Sequence, residues 1–170
     1  MNEKFAKILE AVEATTEGMT DEDWKFRPEG KWGAPEVLEH LALTYSGTAK
    51  AFRKRILEGP QGGSPNLKQR VGHLLVLEMG VFPIKRKSPE PVAPKGEIGG
   101  KEALELLKRN LVEMDRAFAD YKEKHGPAGK VATHPILGPL TYDQWPKFHL
   151  NHARHHMKQI KALRAAKGAS

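Results

Sequence analysis

Four of the eight histidines crowd into one short stretch near the end of the chain, HLNHARHHMKQI, at positions 149, 152, 155 and 156. At about 100° per residue of α-helix, His149, His152 and His156 lie within about 60° of one another on the face that also carries the apolar side chains, and His155 lies at its edge. A buried imidazole must be neutral and hydrogen-bonded, or charged and paired. Because a divalent metal ion satisfies several such nitrogens at once, the pattern predicts a metal site.

The spacing of His152 and His156 adds to this prediction. Residues four apart on a helix lie one turn from each other, so both rings can reach one point, and helical histidine pairs chelate zinc in this way. Ala153 and Arg154 occupy the positions between them. The glutamate of a zinc-protease helix is therefore missing, and the motif does not predict metalloprotease chemistry.

A third ligand would have to come from another part of the chain. The candidates are His40 in VLEHLAL, His73 in VGHLLVL and His134 in the segment between the last two helices. His40 lies beside the small residues Gly47 and Ala51, which would allow a facing helix to approach closely. The alternative for every one of these histidines is a hydrogen-bonded core or surface residue.

Composition limits the remaining possibilities. The 170 residues contain no cysteine, which excludes disulfides, thiolate metal ligands and cysteine nucleophiles, so any metal must be held by nitrogen and oxygen. With 39% hydrophobic and 29% charged residues, we expect a single globular domain over residues 1–170. No apolar run is long enough for a signal peptide or a membrane span, which predicts a cytoplasmic protein without a membrane partner.

Apolar spacing near 3.6 residues dominates the chain and predicts an all-α fold. Helices are expected over residues 2–16, 34–58, 67–80 and 100–124, and from a cap at Thr141 to 167. The third of these is short, so the prediction is a four-helix bundle with an additional short helix and long connecting loops, including one at 128–140. Such bundles build their sites in the interior from side chains on facing helices.

The connection over residues 82–100 contains four prolines between lysines and glycines, which predicts an extended surface segment. Segments of this kind often wall a pocket. We expect it to line the site together with Trp24, Trp32 and Trp145.

The net charge of +7 raises nucleic acid as an alternative partner. In this interpretation the protein is a basic helical binding module, and the residues that would contact phosphates are Lys147, Arg154, Lys158, Lys161, Arg164 and Lys167. The same residues lie mostly off the apolar face, which is equally the pattern of a solvated surface. Because the basic residues are spread through the chain and no nucleic-acid-binding motif is present, we favour the metal site.

Three segments in this order and spacing resemble the DinB-like metal-binding four-helix bundles. EDWKFRPEGKWGAPEVLEHLALTY is similar to the family's polar connection followed by a helix with an early histidine ligand. THPILGPLTYDQW resembles the approach to its last helix, and HLNHARHHMKQI resembles its closing HxxxH with a following Gln or His. The likeness spans most of the chain.

The resemblance implies that His40, His152 and His156 are the metal ligands and that the metal is zinc or nickel. It implies that His149 lines the pocket or supports a ligand, and that Gln159 orients a ligand through a hydrogen bond. Glu36, one turn before His40, would be a supporting carboxylate, although its position favours a role at the helix N-terminus.

The resemblance also implies a function. Some members of the family transfer low-molecular-weight thiols such as bacillithiol or mycothiol to electrophiles, or isomerise maleylpyruvate with a thiol, and many have no established reaction. We therefore expect a small-molecule substrate, thiol transfer or metal-assisted hydrolysis, and a homodimer as in other members. A non-catalytic metal-binding bundle is the remaining alternative, and the sequence identifies no general acid or base.

Overall fold

Six α-helices form most of the computed structural model, which describes residues 1–82 and 89–168. They are α1 (Glu3–Thr16), α2 (Asp21–Lys25), α3 (Ala34–Glu58), α4 (Leu67–Gly72), α5 (Gly100–His125) and α6 (Gln144–Gly168). The four long helices α1, α3, α5 and α6 correspond to the four predicted from the apolar spacing. The helical-bundle prediction is therefore confirmed.

The long helices pack in two principal pairs, α3 with α5 and α1 with α6. Fully buried apolar side chains fill the interior between them, and the rings of Phe52 on α3 and Phe118 on α5 stack at 3.7 Å between centroids. Helices α3 and α6 run in opposite directions, because His40 meets His152 and His156, whereas Phe52 meets Trp145. The histidines of both helices consequently meet in one interhelical seam.

The first turn of α3 sets where His40 lies. Pro35 stands in that turn, where its missing N–H costs no helical hydrogen bond. The backbone N–H of Gly33 donates to Glu36 Oε2 at 3.0 Å, which satisfies one of the donors that a helix start leaves without a partner. These local signals place His40 in the second turn, facing the bundle.

The short helix expected at 67–80 is not one continuous α-helix. Helix α4 ends at Gly72, and the backbone continues as a π-helical segment, His73–Glu78. Asn151 of α6 explains the wider turn, because its side-chain amide donates to the carbonyl oxygens of Val76 at 2.8 Å and Leu77 at 3.1 Å. A contact from a distant helix thus changes the backbone hydrogen-bond pattern of a segment whose own sequence favours an α-helix.

The loop predicted at 128–140 forms a β-hairpin, which corrects that expectation. Its antiparallel strands are β1 (Lys130–His134) and β2 (Gly138–Thr141). The ring Nδ1 of His134 accepts the backbone N–H groups of Ile136 and Leu137, each at 3.1 Å, and this closes the turn between the strands. Strands of five and four residues with glycine and proline are too short and too mixed to show an alternating pattern.

Two connections carry further short elements. The polar connection after α1 contains α2, and a capping box between Thr20 and Asp23 forms the N-terminus of this helix. In the connection predicted at 82–100, residues 83–88 lie outside the described residues, and the part that follows contains a 3₁₀ turn, Glu90–Val92, packed against α3.

Among the described helices, none has the length and apolar character needed to cross a membrane.

Candidate metal centre

The structure brings His40 of α3 together with His152 and His156 of α6. The Nε2 atom of His152 lies 3.3 Å from Nε2 of His40 and 2.9 Å from Nε2 of His156. Zinc–nitrogen bonds of about 2.0–2.1 Å at tetrahedral angles separate two ligand nitrogens by about 3.3 Å. The separation between His40 and His152 matches this value, the one between His152 and His156 is shorter, and all three ring nitrogens lie within 4.8 Å of one another, so the group could hold a metal.

Hydrogen bonds on the far side of two rings fix which nitrogen carries the proton. His40 Nδ1 donates to the backbone carbonyl of Val92 at 2.8 Å, and His156 Nδ1 donates to the side-chain carbonyl of Gln159 at 2.8 Å. Because a carbonyl oxygen only accepts, the proton of each ring lies on Nδ1 and the lone pair lies on Nε2. Both lone pairs consequently face His152.

Burial keeps all three imidazoles neutral. It lowers the pKa of His156 to about 3, with the charge of His40 as a further cause. It lowers the pKa of His152 well below the ordinary value, followed by the charges of His156 and His40. Burial also lowers the pKa of His40, and the hydrogen bond to Val92 opposes this shift only in part. The neutral imidazole is the form that binds a metal, and the charge state of all three rings meets this condition at neutral pH.

The chemistry of the donor set fits a borderline divalent ion. Three imidazoles and no thiolate suit zinc, nickel or a neighbouring transition metal better than magnesium or calcium, which prefer oxygen. Within the described residues, His152 Nδ1 is buried and has no hydrogen-bond partner. A metal on Nε2 would let all three rings use their lone pairs, which three mutually facing imidazoles cannot do with protons alone.

Comparison with known proteins identifies the family of the chain. Residues 4–160 match the sequence profile described as the DinB superfamily. This chain belongs to the DinB superfamily. A Bacillus subtilis (strain 168) protein called "Uncharacterized protein YuaE" is 25% identical over 157 residues, which are 86% of each chain. No solved structure gives a significant match.

Aromatic side chains surround the triad of this DinB superfamily member. The ring centroid of Trp32 lies 5.3 Å from that of His40, and the ring of Phe82 lies 5.6 Å from that of His152. Phe148 stacks on His152 with centroids 5.3 Å apart and planes 17° apart. His40 and His152 thus both pack against aromatic rings.

Of the three tryptophans expected to line the site, Trp32 alone contacts a triad histidine among the described residues. Trp24 lies against Gly100 at the start of α5, so closely that a Cβ at Gly100 would meet its ring at 2.1 Å. Trp145 lies in the core, 5.9 Å from the ring of Phe52. These two tryptophans support the bundle.

The rival third ligands have other partners in this DinB superfamily structure. His73 Nε2 donates to the carbonyl of Leu137 at 2.8 Å and thereby fastens the π-helical segment to the hairpin. His134 closes the hairpin turn. Of the three candidates left open by the sequence, the structure places only His40 beside His152 and His156.

His149 and His155 flank the triad on α6 in different ways. His149 is fully buried one turn from His152, its ring 5.4 Å from that of Tyr45, and neither ring nitrogen has a hydrogen-bond partner among the described residues. Burial, followed by the charge of His134, lowers its pKa to about 3. His155 lies nearer the surface, and its Nε2 accepts from the side-chain amide of Gln159 at 3.2 Å. Gln159 thus bridges His155 and the triad.

The two buried carboxylates of α3 hold backbone and side-chain partners of their own. Glu36 caps the helix start and pairs with Arg27, as its position near the N-terminus favoured. Glu39, which is 6% exposed, accepts from the backbone N–H groups of Lys95 at 3.1 Å and Gly96 at 3.0 Å. The residue pattern did not predict this contact of Glu39. The available signal was an acid beside a histidine in the otherwise apolar run VLEHLAL.

Proposed function

We propose that His40, His152 and His156 bind one zinc or nickel ion and that this centre acts on a small molecule. The reaction we favour is transfer of a low-molecular-weight thiol to a small electrophile, with metal-assisted hydrolysis as the second form. The observation that supports the proposal is the convergence of three neutral imidazoles, those of His40 and His156 buried and that of His152 half-buried. Membership of the DinB superfamily supports it independently.

The residues around the site have separate tasks in this proposal. His40 Nδ1 donates a hydrogen bond to Val92, and His156 Nδ1 donates one to Gln159. Because these bonds keep the proton on Nδ1, both rings are already in the tautomer whose Nε2 lone pair can bind the ion. The rings of Trp32 and Phe82 pack against His40 and His152 and would limit the access of bulk water to a bound ion. His40, His152 and His156 would hold the ion through three neutral imidazoles, and the ion would supply a site for an outside ligand and would lower the pKa of a water or thiol bound there.

A thiol substrate agrees with the composition of the chain. The protein has no cysteine, so a sulfur nucleophile has to arrive as a separate molecule. Glu36 and Glu39 are engaged by backbone N–H groups and Arg27, and the proposal assigns neither of them as a general base.

The proposal is tested first by metal content. We would measure metal by plasma mass spectrometry on untagged protein for the wild type, His152→Ala, His40→Ala and the control His73→Ala. We expect near-stoichiometric zinc or nickel in the wild type and the control, and loss in the two triad variants. A folded wild type that stays empty after incubation with zinc and nickel would refute the metal site.

The two forms of the reaction are separated by their dependence on thiol. Metal-loaded protein would be incubated with electrophiles in the presence and absence of bacillithiol, mycothiol or glutathione, and adducts and hydrolysis products would be followed by mass spectrometry. Thiol transfer requires the thiol for product, whereas hydrolysis does not. In either case His152→Ala should lose the activity, and a variant that retains it would exclude this mechanism.

The alternative of a nucleic-acid-binding surface receives less support from the contacts of the basic residues. Lys147 pairs with Glu78 at 2.5 Å, and Lys167 pairs with Asp23 at 2.9 Å. Arg164 donates to the carbonyl of Thr15 at 2.9 Å. Half of the six candidate cations therefore serve contacts within the bundle. Binding to a DNA duplex that weakens steeply between low and physiological salt would favour this alternative.

Four further expectations from the sequence stay predictions. They are a single domain over residues 1–170, a cytoplasmic location, a homodimer, and catalysis as opposed to a purely structural metal. The last is tested by chelation, because removal of a structural metal unfolds the chain, whereas removal of a catalytic metal stops turnover and leaves the helices intact.

A further inference from the structure

A short backbone segment lies across the first half of α3, directly beside the triad. We call residues 92–96 the strap. It contacts α3 at two adjacent residues: Val92 accepts from His40 Nδ1 at 2.8 Å, and the N–H groups of Lys95 and Gly96 donate to the carboxylate of Glu39 at 3.1 and 3.0 Å. The strap is therefore fastened by both a proposed metal ligand and its neighbour in sequence.

The contact with Glu39 is specific in shape. Two consecutive backbone N–H groups each meet one oxygen of a buried carboxylate, an arrangement stronger than neutral hydrogen bonds because the acceptor is charged. Gly96 permits it, since its φ of +72° lies in the left-handed region. A Cβ there would meet Glu36 Oε1 at 3.2 Å, so the strap lies flat on the helix.

This geometry gives Glu39 a task at the triad. The carbonyl of Val92 keeps the proton of His40 on Nδ1 and its lone pair on Nε2. Val92 ends the 3₁₀ turn, and the rest of the strap lies outside any helix or strand, so the position of this carbonyl depends on the contacts of the strap with α3. We propose that Glu39 is a positioning residue for the metal centre: it clamps the strap so that Val92 fixes the tautomer and orientation of His40. The inference rests on the proposed metal site.

Linkage adds a second consequence. If the strap favours the metal-binding form of His40, metal on His40 must stabilise the clamped strap by the same free energy. Metal should therefore slow exchange of the Lys95 and Gly96 amide protons. The backbone N–H groups of Asn66 and Gln69 provide internal references, because they also donate to side-chain oxygens, in the capping box that begins α4.

The test compares four proteins: the wild type, Glu39→Gln, Glu39→Asp and Glu97→Gln. Glu39→Gln keeps the shape of the side chain but replaces one carboxylate oxygen by an NH₂ group, so that one backbone N–H of the strap faces another donor instead of an acceptor. Glu39→Asp keeps the charge and withdraws the carboxylate by one methylene. Glu97→Gln removes an equal charge from an exposed position just beyond the strap. Zinc affinity is measured by competition with a chromophoric chelator, the visible spectrum with cobalt, and amide exchange by mass spectrometry.

We expect both Glu39 variants to bind zinc about 10–100-fold more weakly, as is usual when a partner of a ligating histidine is lost, with an altered cobalt spectrum and faster strap exchange. Glu97→Gln should stay within about twofold of the wild type, because exposed charges are screened. Wild-type affinity in Glu39→Asp would show that charge alone matters and would overturn the proposal. So would faster strap exchange in Glu39→Gln without loss of affinity.

Two further outcomes are kept separate. If the wild type binds neither zinc nor cobalt, the proposed metal site fails and the positioning role of Glu39 falls with it, whereas unchanged zinc affinity in both Glu39 variants overturns the role of Glu39 alone. If the Glu39 variants do not fold, the wild type alone decides: metal that leaves the exchange of the Lys95 and Gly96 amides as unchanged as that of the reference amides overturns the proposal.

Discussion

The Nε2 atoms of His152 and His156 lie 2.9 Å apart, one helical turn from each other. Gln159 holds the proton of His156 on Nδ1, so the bond between the two rings needs a proton on Nε2 of His152. In that form His152 presents Nδ1 as a buried acceptor with no partner among the described residues. A metal on Nε2 would reverse this arrangement by moving the proton to Nδ1. The hydrogen bonds between the rings therefore favour the tautomer of His152 that cannot bind an ion through Nε2, and the proposed metal would have to reverse it.

The first prediction is that metal stabilises the folded chain. Zinc or nickel at a free concentration 100 times Kd should raise the free energy of unfolding by about 2.7 kcal/mol, because the unfolded chain offers no preformed triad. The measurement is urea unfolding followed by circular dichroism, with metal or with chelator. His152→Ala should lose the response, whereas His73→Ala should retain it. Identical midpoints for the wild type with metal and with chelator would contradict the prediction.

The second prediction concerns acid. Burial lowers the pKa of His149 to about 3, whereas an unfolded histidine titrates near pH 6.5, so the unfolded chain binds more protons between these values. Stability is therefore present above about pH 6.5 and is lost as the pH falls below it. Protonation of His149 alone should lower the free energy of unfolding by about 1.6 kcal/mol between pH 6.5 and 5.

Urea unfolding of metal-free protein at a series of pH values measures this slope. His149→Leu should unfold with a shallower pH dependence, because one proton fewer is taken up. His125→Gln is the control, since His125 lies on α5 and its ring bonds the carbonyl of Ile56. A slope that does not change in His149→Leu would mean that His149 is protonated in the folded protein.

The sequence predicted the parts of this structure that depend on local pattern. Apolar spacing located the four long helices, and the turn-by-turn positions on α6 put His152 and His156 on the inner face. The assignment of His40 as the third histidine of the cluster needed further evidence, because spacing alone left His73 and His134 as further candidates. Family resemblance selected it, and the structure shows why: both rivals hold backbone groups of the hairpin region.

What the sequence missed depends on contacts between distant segments. The carbonyl of Val92 and the N–H groups of Lys95 and Gly96 are backbone groups, which residue types do not reveal. The π-helical segment follows from Asn151, 75 residues away from the carbonyl of Val76 that it binds. Such contacts result from the packing of the bundle, and no periodicity in the sequence of the segment itself predicts them.

The third prediction is that Gln159 tunes the metal affinity. Its side chain accepts from His156 Nδ1 at 2.8 Å and donates to His155 at 3.2 Å. Gln159→Leu removes the acceptor that orients His156, and we expect metal binding about 10-fold weaker. Chelator competition measures this, with the exposed neighbour Lys158→Ala as the control. Equal affinities in the two variants would mean that the hydrogen bond does not orient the ligand.

The fourth prediction concerns Tyr45, which lies fully buried against His149 and whose hydroxyl has no hydrogen-bond partner among the described residues. Burial accordingly raises the pKa of this hydroxyl far above its ordinary value. Tyr45→Phe removes a polar group that has lost its water without gaining a bond, so we expect the metal-free protein to become more stable by about 1 kcal/mol.

Tyr142 offers a matched control, because it is also buried and its hydroxyl donates to the carbonyl of Phe118 at 3.2 Å. Tyr142→Phe breaks that bond and leaves the carbonyl short of a donor, so it should lower the free energy of unfolding by about 1 kcal/mol. Urea unfolding in chelator measures both variants. If Tyr45→Phe destabilises the protein as much as Tyr142→Phe, the Tyr45 hydroxyl must be bonded to an internal water molecule, and the seam between α3 and α6 beside the triad is hydrated.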